Sequence, residues 1–312
     1  MRIVVTGGAG FIGSQFVRLL LTDERISPSI DQLIVIDSLT YAADLNRLNV
    51  VDSDPRLIFV ESSINNEAAL RIHIPGSRYV FNFAAESHVD NSILNPNLFL
   101  ETNVSGVQSL INIIVENPET ELVQVSTDEV YGDKEEGDSK EGDGIFPSSP
   151  YSASKAAAEL LIMAAGRTHK LKFKITRGSN TYGLGQFQEK LIPFFVKCAI
   201  AKKDLPLYGD GLQTREWLNV RDHANGIWLA ATKGNDNQVY NLGSGYHLTN
   251  LDVAHRILDL LQLPSNQIVH VPDRKGHDRR YSLNSEKAFH ELGFIPTLDF
   301  EKTLEEIVRE NI

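Results

Sequence analysis

The sequence predicts a doubly wound α/β fold, in which helices cover both faces of a parallel sheet. Up to about residue 180, short apolar segments alternate with segments of helical period at the spacing of βαβ units. The apolar segments are hydrophobic on both faces, as the strands of a buried parallel sheet are. A glycine-rich turn also joins the first strand to the first helix. We therefore predict a Rossmann-type sheet, followed by a smaller mixed α/β C-terminal substrate lobe.

The predicted strands of the first lobe are short and rich in β-branched and aromatic residues, as buried strands are. They are RIVVT (2–6), LIVID (33–37), RLIFV (56–60), YVFNF (79–83), LVQVS (122–126) and FKITR (173–177). The segments between them repeat their apolar residues at helical spacing. The three clearest helices are FIGSQFVRLLL (11–21), NLFLETNVSGVQSLINIIVEN (97–117) and PYSASKAAAELLIMAAG (150–166).

After residue 180 the pattern changes to shorter and more mixed pieces. Helices are predicted in EKLIPFFVKCAIAKK, VRDHANGIWLAAT and LTNLDVAHRILDLLQL, and an extended segment in REWLNV. We divide the chain into a Rossmann domain over 1–180, which carries the cofactor site and the catalytic residues, and a lobe over 181–312 that mainly binds substrate, with some chain crossing between them. The acid- and glycine-rich segment 132–144 is predicted to be a solvated flexible loop that could border the site.

Composition excludes several classes of function. Of the 312 residues, 42% are hydrophobic and 23% charged, as in an ordinary globular protein. Thirty basic against forty-one acidic residues give a net charge of −11, which argues against non-specific nucleic-acid binding. Cys198 is the only cysteine, so no internal disulfide can form. We see no leader peptide, no apolar run of about 18 residues that would span a membrane and no metal site, and expect a cytoplasmic protein.

The glycine-rich turn predicts a dinucleotide site. Gly7, Gly10 and Gly13 lie between the first strand and the first helix, where backbone N–H groups can approach a pyrophosphate. Asp37 ends the second strand, the position from which an acid hydrogen-bonds the adenosine ribose and repels a 2′-phosphate. The predicted cofactor is therefore NAD rather than NADP.

Two further motifs predict chemistry at the carboxyl ends of the strands. Tyr151 and Lys155 are four residues apart on one helix face, where an ammonium would lower the phenol pKa from its usual value of about 10. The strand LVQVS ends in Thr127, Asp128 and Glu129, which break its apolar pattern. Two adjacent carboxyl groups can divide the roles of acid and base, because repulsion and burial separate their pKa values.

On these motifs the chain resembles the extended short-chain dehydrogenase/reductase family, and within it the 4,6-dehydratases of dTDP-glucose. The segments that carry the resemblance span nearly the whole chain. They are TGGAGFIGS, LTYAADL, AAESHVDNSI, STDEVYGD, PYSASKA, SNTYG, EKLIP, YGDGLQTREWLNVRDHA, NLDV and DRKGHDRRYSLN.

The resemblance implies dehydration of dTDP-glucose to its 4-keto-6-deoxy product, with tightly bound NAD regenerated in each turnover. It implies that Tyr151 takes the proton of the C4 hydroxyl, which Thr127 hydrogen-bonds. Glu129 removes the C5 proton, and Asp128 protonates the departing C6 hydroxyl. Lys155 supports the tyrosine. A homodimer is also implied, formed through the helices that contain residues 92–116 and 151–166.

The resemblance also implies a set of binding residues. Those expected to contact the cofactor are Gly7, Gly10, Phe11, Ile12, Gly13, Asp37, Thr40, Ser63, Ile64, Ala84, Ala85, Thr102, Tyr151 and Lys155. Those expected to contact the sugar, the thymine base or the diphosphate are Ser87, Asn180, Lys190, Leu191, Pro206, Tyr208, Arg215, Asn250, Arg274, His277 and Tyr281.

A few positions depart from the usual pattern of these dehydratases. Ser63 replaces an aspartate that commonly meets the adenine amine, and Ser38 follows Asp37 where lysine is frequent. Gly178 and Thr181 stand near Asn180 in place of Cys and Asn. The residues leave three alternatives open: a UDP-sugar 4,6-dehydratase, another nucleotide-sugar enzyme such as a 4-epimerase or decarboxylase, and a non-catalytic NAD-binding sensor.

Overall fold

The computed structural model describes all 312 residues and confirms the predicted fold class. Seven parallel strands form one sheet in the order β10-β6-β5-β4-β1-β2-β3. The strands are β1 Arg2–Thr6, β2 Gln32–Asp37, β3 Leu57–Glu61, β4 Tyr79–Asn82, β5 Glu121–Thr127, β6 Phe173–Gly178, β7 Asn180–Tyr182, β8 Leu205–Tyr208, β9 Thr214–Asn219, β10 Gln238–Leu242, β11 His247–Thr249 and β12 Ile268–Val271.

The helices pack on both faces of this sheet and around two small sheets in the C-terminal half. They are α1 Phe11–Thr22, α2 Glu67–His73, α3 Val89–Leu94, α4 Pro96–Phe99, α5 Gly106–Val115, α6 Pro150–His169, α7 Leu191–Ile200, α8 Val220–Lys233, α9 Asn250–Leu260 and α10 Phe300–Asn311. A π-helical segment, Leu100–Ser105, joins α4 to α5 in one continuous helix.

Each face of the large sheet buries its own apolar core, which explains why its strands are hydrophobic on both sides. On one face, Val5 and Phe81 pack with Phe16 of α1 and Trp228 of α8 in a cluster of 27 buried residues. On the other face, a cluster of 20 buried residues joins the sheet to α5 and α6. A third cluster, of 17 buried residues, forms the core of the C-terminal half.

The chain crosses back to the large sheet after residue 180. Helix α8 covers one face of the sheet, and β10 pairs in parallel with β6 as the seventh strand. The C-terminal half otherwise contains the three-stranded sheet β11-β9-β7 and the two-stranded sheet β12-β8. The division of roles at residue 180 stays a prediction, and the sheet itself draws on residues from both sides of it.

By length and composition the helix over 96–115 could cross a membrane, whereas the sequence predicted no such segment. In the structure, 44% of the residues in its apolar window are buried. Leu110 and Ile114 belong to the core cluster between the sheet and α6. We therefore interpret it as a core helix of the folded domain, with an exposed side considered below.

The segment 132–144 is not simply a solvated loop. Ser139 is buried and forms an isolated parallel bridge with Leu283, and Arg280 donates to the carbonyl oxygen of Lys134 at 3.1 Å. The side chain of Glu141 accepts from the backbone of Asn241 at 2.9 Å. These contacts tie the segment 132–144 to Asn241 on β10 and to residues 280–283 of the C-terminal half.

Candidate active site

The glycine turn has the geometry of a phosphate cradle. Gly7 has a φ of +69°, and a Cβ there would lie 2.5 Å from the backbone nitrogen of Ala84. A Cβ on Gly13 would lie 2.2 Å from the carbonyl oxygen of Gly7. Neither position can carry a side chain, so the backbone stays open to a ligand at the start of α1.

Asp37 is held firmly next to this turn. Its two carboxylate oxygens accept hydrogen bonds from the backbone nitrogens of Ala9 and Leu39, each at 2.9 Å. Each oxygen keeps a second lone pair for a ribose hydroxyl. The carboxylate therefore both fixes the turn and offers the acceptor that NAD needs. Ser63, in the loop after β3, accepts from the backbone of Asn65 at 3.1 Å.

One cavity of about 340 Å³ joins the glycine turn to the predicted catalytic residues. All fourteen predicted cofactor residues line it, together with Thr127, Asp128 and Glu129. Four of the predicted substrate residues, Ser87, Asn180, Lys190 and Leu191, also line it. These residues come from strand ends and loops across the whole sheet. The lining therefore offers the backbone donors and the carboxylate acceptor that a dinucleotide needs, and the structure brings the predicted reacting groups to the same cavity.

The catalytic turn, residues 127–131, starts where β5 ends. Thr127 accepts from the backbone nitrogen of Glu129 at 3.2 Å and caps a short 3-10 turn over Asp128–Tyr131. Gly132 ends the turn with a φ of +76°, and a Cβ there would lie 2.1 Å from the carbonyl oxygen of Phe146. Thr127 therefore lines the cavity from the end of the strand, and Asp128 and Glu129 line it from the turn.

The two acids lie in different electrostatic surroundings. Burial, then Glu129 and Glu216, raise the pKa of Asp128 well above its usual value. Burial also raises the pKa of Glu129, but the cations of Arg215, Arg274 and Lys190 oppose that rise. Asp128 therefore favours the protonated form, whereas Glu129 is held closer to ionisation. This is the division that one acid and one base require.

Helix α6 places Tyr151 and Lys155 beside these acids. The helix begins with a capping box between Ser149 and Ser152, so Tyr151 lies in its first turn. Lys155 donates from Nζ to the carbonyl oxygen of Val125 at 2.6 Å, and burial lowers its pKa to about 8. Both side chains face the end of β5.

The expectation of a lowered tyrosine pKa is wrong for the protein groups alone. Burial, followed by the charges of Glu129 and Asp128, raises the pKa of Tyr151 above its usual range. The physical reason is that burial, and after it the nearby carboxyl groups, disfavour a negative charge on the phenol oxygen. Lys155 directs its ammonium to a backbone carbonyl.

Five of the seven remaining predicted substrate residues form two contacting groups outside the cavity lining. In one, the ring of Tyr208 lies 6.1 Å from that of His277 and 6.0 Å from the guanidinium of Arg274. In the other, the guanidinium of Arg215 lies 4.3 Å from the ring of Tyr281. The guanidinium of Arg215 donates hydrogen bonds to backbone carbonyl oxygens, including that of Asp278 at 2.9 Å.

Two predicted substrate residues are placed by backbone contacts only. Pro206 lies on β8, two residues before Tyr208, and pairs with Val269. Asn250 begins α9, and its backbone nitrogen donates to the carbonyl oxygen of Gln213 at 3.1 Å. Neither side chain forms a hydrogen bond with an arginine. Their roles stay predictions.

Two further contacts involve predicted substrate residues, one between two residues that line the cavity and one in the outer region that the sequence did not predict. Lys190 donates to the carbonyl oxygen of Ser87 at 2.9 Å. Arg274 lies 3.6 Å from a carboxylate oxygen of Asp90 at the start of α3. Asp90 was missed because an acid near a helix start is common in any fold. Only the three-dimensional arrangement sets it opposite an arginine.

A buried network behind the catalytic turn was also missed. Arg177 on β6 bonds the carboxylate of Glu159 at 2.6 Å, and its guanidinium lies 4.6 Å from the ring of Tyr131. The hydroxyl of Tyr131 donates to the side chain of Asn241 at 2.7 Å. Glu159 lies one helical turn after Lys155. The network therefore fixes α6 and the catalytic turn relative to each other.

The comparisons with known proteins agree with this site. Residues 4–307 match the family model described as GDP-mannose 4,6 dehydratase. A dTDP-glucose 4,6-dehydratase from an Actinoplanes species is 42% identical over 99% of this chain and 97% of its own length. A crystal structure of DesIV, a dTDP-glucose 4,6-dehydratase from Streptomyces venezuelae, was solved with NAD and TYD bound. Its sequence is 45% identical to this chain and its TM-score is 0.97, and the match covers 99% of this chain and 96% of that one.

The fold alone does not distinguish the dTDP-glucose 4,6-dehydratases from the nucleotide-sugar 4-epimerases. A UDP-glucose 4-epimerase from Thermotoga maritima, solved with UDP-glucose, has a TM-score of 0.88 at 28% identity, over 99% of this chain and 98% of its own. The much higher identity to the dehydratases covers the same length. The predicted resemblance is therefore confirmed: this chain belongs to the GDP-mannose 4,6 dehydratase family of the extended short-chain dehydrogenase/reductases.

Proposed function

We propose that this protein catalyses the NAD-dependent dehydration of dTDP-glucose to dTDP-4-keto-6-deoxy-glucose. The proposal rests on the pair Asp128 and Glu129, which lies beside Tyr151 in the cofactor cavity. The surroundings of the two acids raise the pKa of Asp128 more than that of Glu129. An enzyme that only oxidises and reduces has no need of a second acid at this place. Elimination of water needs both a base and an acid.

The residues divide the reaction in the following way. Tyr151 accepts the proton of the C4 hydroxyl as a phenolate, a form that the positive charge of a bound nicotinamide would favour against burial and the nearby acids, and Thr127 hydrogen-bonds that hydroxyl. NAD, held by the glycine turn and Asp37, would supply the hydride acceptor for oxidation at C4 and the hydride donor for reduction at C6. The 4-keto group acidifies the C5 hydrogen, which Glu129 removes, and Asp128 gives its proton to the departing C6 hydroxyl. Reprotonation of C5 completes the product, so one water is lost and no external oxidant is consumed.

The acidic protein must also hold a substrate with two phosphate groups. Local cations supply that attraction, because Lys190, Arg215 and Arg274 all act electrostatically on Glu129 and so lie near the sugar end of the cavity. Tyr208 and His277 offer aromatic surface beside Arg274. We assign the diphosphate to the arginines and the base to the region of Tyr208.

We also propose a homodimer that forms through the helix over 96–115 and α6. Several large apolar side chains on this side of the molecule are exposed: Leu94 at 83%, Leu160 at 55% and Leu100 at 51%. The opposite side of both helices is buried on the sheet. Apolar surface of this kind on two adjacent helices suits a four-helix contact between two copies. A cytoplasmic location is proposed as well, since a single cysteine gives no internal disulfide.

The deciding experiment is turnover by the purified protein without added cofactor. Separate incubations contain dTDP-glucose or UDP-glucose, and the readouts are the alkali-induced chromophore of a 4-keto-6-deoxy sugar and the loss of one water by mass. We expect product from dTDP-glucose and slower or no product from UDP-glucose. Unchanged sugar in both incubations, even after NAD is supplied, would refute the proposal.

A Glu129→Gln variant separates dehydration from epimerisation. A dehydratase loses turnover because it loses its base, whereas an epimerase keeps it. Product from UDP-glucose alone would instead assign the protein to the UDP-sugar dehydratases.

A further inference from the structure

The floor of the cavity contains a histidine to which the reaction described above gives no role. His223 lies in the first turn of α8, and its side chain is buried and lines the cavity. One ring nitrogen, Nδ1, is 2.8 Å from the hydroxyl of Thr181. The other, Nε2, is buried and has no hydrogen-bond partner within the protein. A buried polar atom without a partner is costly, so it points to a ligand or a water.

Gly178 allows the imidazole to take this position. A Cβ on Gly178 would lie 2.4 Å from Cε1 and 2.5 Å from Nε2 of His223. The ring therefore occupies the space that a side chain at residue 178 would fill. Gly178 is the last residue of β6 and pairs with Thr127 at the end of β5. The edge of the ring thus reaches the cavity next to the strand that carries the catalytic threonine.

The contacts of Thr181 assign the proton on the ring. The Thr181 hydroxyl donates to the carbonyl oxygen of Ser179 at 3.1 Å, and a carbonyl can only accept. With its single proton directed to that carbonyl, the hydroxyl accepts in its 2.8 Å contact with His223, which assigns the ring proton to Nδ1. Burial lowers the pKa of His223 to about 4, so the ring is neutral at ordinary pH. Nε2 is consequently a hydrogen-bond acceptor with a free lone pair.

The position of this acceptor along the cavity identifies its partner. Asp37 and Ser63 mark the adenosine end, and the turn at Gly7 marks the pyrophosphate. The reacting ring of the cofactor must lie at the opposite end, beside Tyr151 and the ends of β5 and β6. The nicotinamide carries a carboxamide, whose amino group is a hydrogen-bond donor. This step rests on NAD as the cofactor, which is part of the proposed function.

We propose that Nε2 of His223 accepts a hydrogen bond from the carboxamide amino group of the nicotinamide, and that Gly178 makes this contact possible. Thr181 holds the imidazole in the required tautomer. The bond fixes the rotation of the nicotinamide and so decides which ring face is presented to the sugar. His223 is then a cofactor-binding residue that selects for the amide.

The test compares NAD with 3-acetylpyridine adenine dinucleotide, in which a methyl group replaces the amino group. Dissociation constants of both are measured by calorimetry on protein stripped of cofactor, so the readout does not depend on turnover. We expect the unaltered protein to bind NAD with a dissociation constant about tenfold lower than that of the analogue, because the analogue loses one hydrogen bond and leaves a buried acceptor unpaired. In His223→Leu the preference should fall to about twofold or less.

Two further variants keep the test decisive if His223→Leu does not fold. Gly178→Ala retains the histidine but forces its ring away, and it should lose the same preference. Ser179→Ala is the matched control, because its hydroxyl is also buried without a partner in this cavity. It should retain the preference for NAD.

An undiminished preference in Gly178→Ala and His223→Leu would overturn the proposal, and so would loss of the preference in Ser179→Ala alone. Normal discrimination between the two dinucleotides without any dehydration would instead refute the proposed function and leave this contact established.

Discussion

The hydroxyl of Thr127 donates to one carboxyl oxygen of Asp128 at 3.1 Å, and the other carboxyl oxygen of Asp128 is buried without a partner. The two oxygens of one acid therefore have different surroundings. The free oxygen, Oδ2, is the one that can carry a proton for transfer, since the hydrogen-bonded oxygen is already an acceptor. The geometry gives Asp128 the form expected of a general acid.

Replacement of Asp128 by Asn should block elimination and leave oxidation at C4 intact. The amide has the same shape but cannot supply the carboxylic proton, so the dehydration rate should fall by about 10²- to 10⁴-fold. Reduced cofactor should accumulate and be visible by its absorbance when dTDP-glucose is added. Glu135→Gln, an exposed acid in segment 132–144, serves as control and should keep normal turnover. Full product formation by Asp128→Asn would contradict the assigned role.

The buried ammonium of Lys155 should give the protein a pH-dependent stability. Burial lowers its pKa from 10.5 to about 8, so the unfolded chain binds more protons than the folded chain between these values. The free energy of unfolding should therefore rise with pH across that range. Relative to Lys155→Met, the native protein should be less stable by up to about 3 kcal/mol at neutral pH. Denaturant unfolding of both proteins at several pH values measures this, and a constant difference would contradict it.

The same shift predicts an alkaline limit to activity. Because the ammonium form is lost as pH rises through about 8, kcat/KM should fall above that pH. In Lys155→Arg the charge persists at high pH, so any residual activity should not fall in the same range. An identical alkaline limb in both proteins would assign the titration to another group.

The buried pair of Glu159 and Arg177 should be essential for stability. Glu159→Gln leaves a buried guanidinium without its counter-charge, and the free energy of unfolding should fall by about 3–5 kcal/mol. The double variant Glu159→Leu with Arg177→Met should lose less, because it leaves no buried charge. Exposed Glu67, which faces Arg71 at 3.6 Å, is the control, and its change to Gln should cost less than about 1 kcal/mol. Equal losses of unfolding free energy in Glu159→Gln and Glu67→Gln would show that burial does not increase the contribution of an ion pair to stability.

Charge on the exposed side of α6 should prevent dimer formation. Leu160→Asp places a carboxylate in the proposed interface and should give a monomer by light scattering. Leu298→Asp is the control, since Leu298 is 41% exposed and lies outside those helices, before α10. Circular dichroism should show that both variants are folded. A dimer that survives Leu160→Asp would place the interface elsewhere.

The sequence predicted the sheet well because the local pattern of its strands agrees with their burial. All six predicted strands of the first 180 residues are present, and β5 is buried along its whole length. The cavity was equally predictable, since the glycine turn and the Tyr151 and Lys155 pair lie at fixed distances from strand ends. Parallel strands bring such motifs to one edge of the sheet.

The features that escaped prediction depend on pairings between distant segments. The sequence QVYNL at β10 is too short and too mixed to be recognised as a sheet strand. His223 was not singled out, because neither the space left by Gly178 nor the missing partner of Nε2 can be read from the sequence alone. The raised pKa of Tyr151 has the same origin, in burial and in neighbouring charges that only folding brings together.

The late pairing of β10 with β6 has a consequence for how the protein is made in the cell. A ribosome finishes β6 about sixty residues before it finishes β10, so the emerging sheet ends for a time in an unpaired strand whose six residues are all buried in the finished fold. Such an edge recruits other unfinished chains. The growing polypeptide therefore needs protection until Leu242 has emerged, and fragments that stop before that residue are a poor choice for expression.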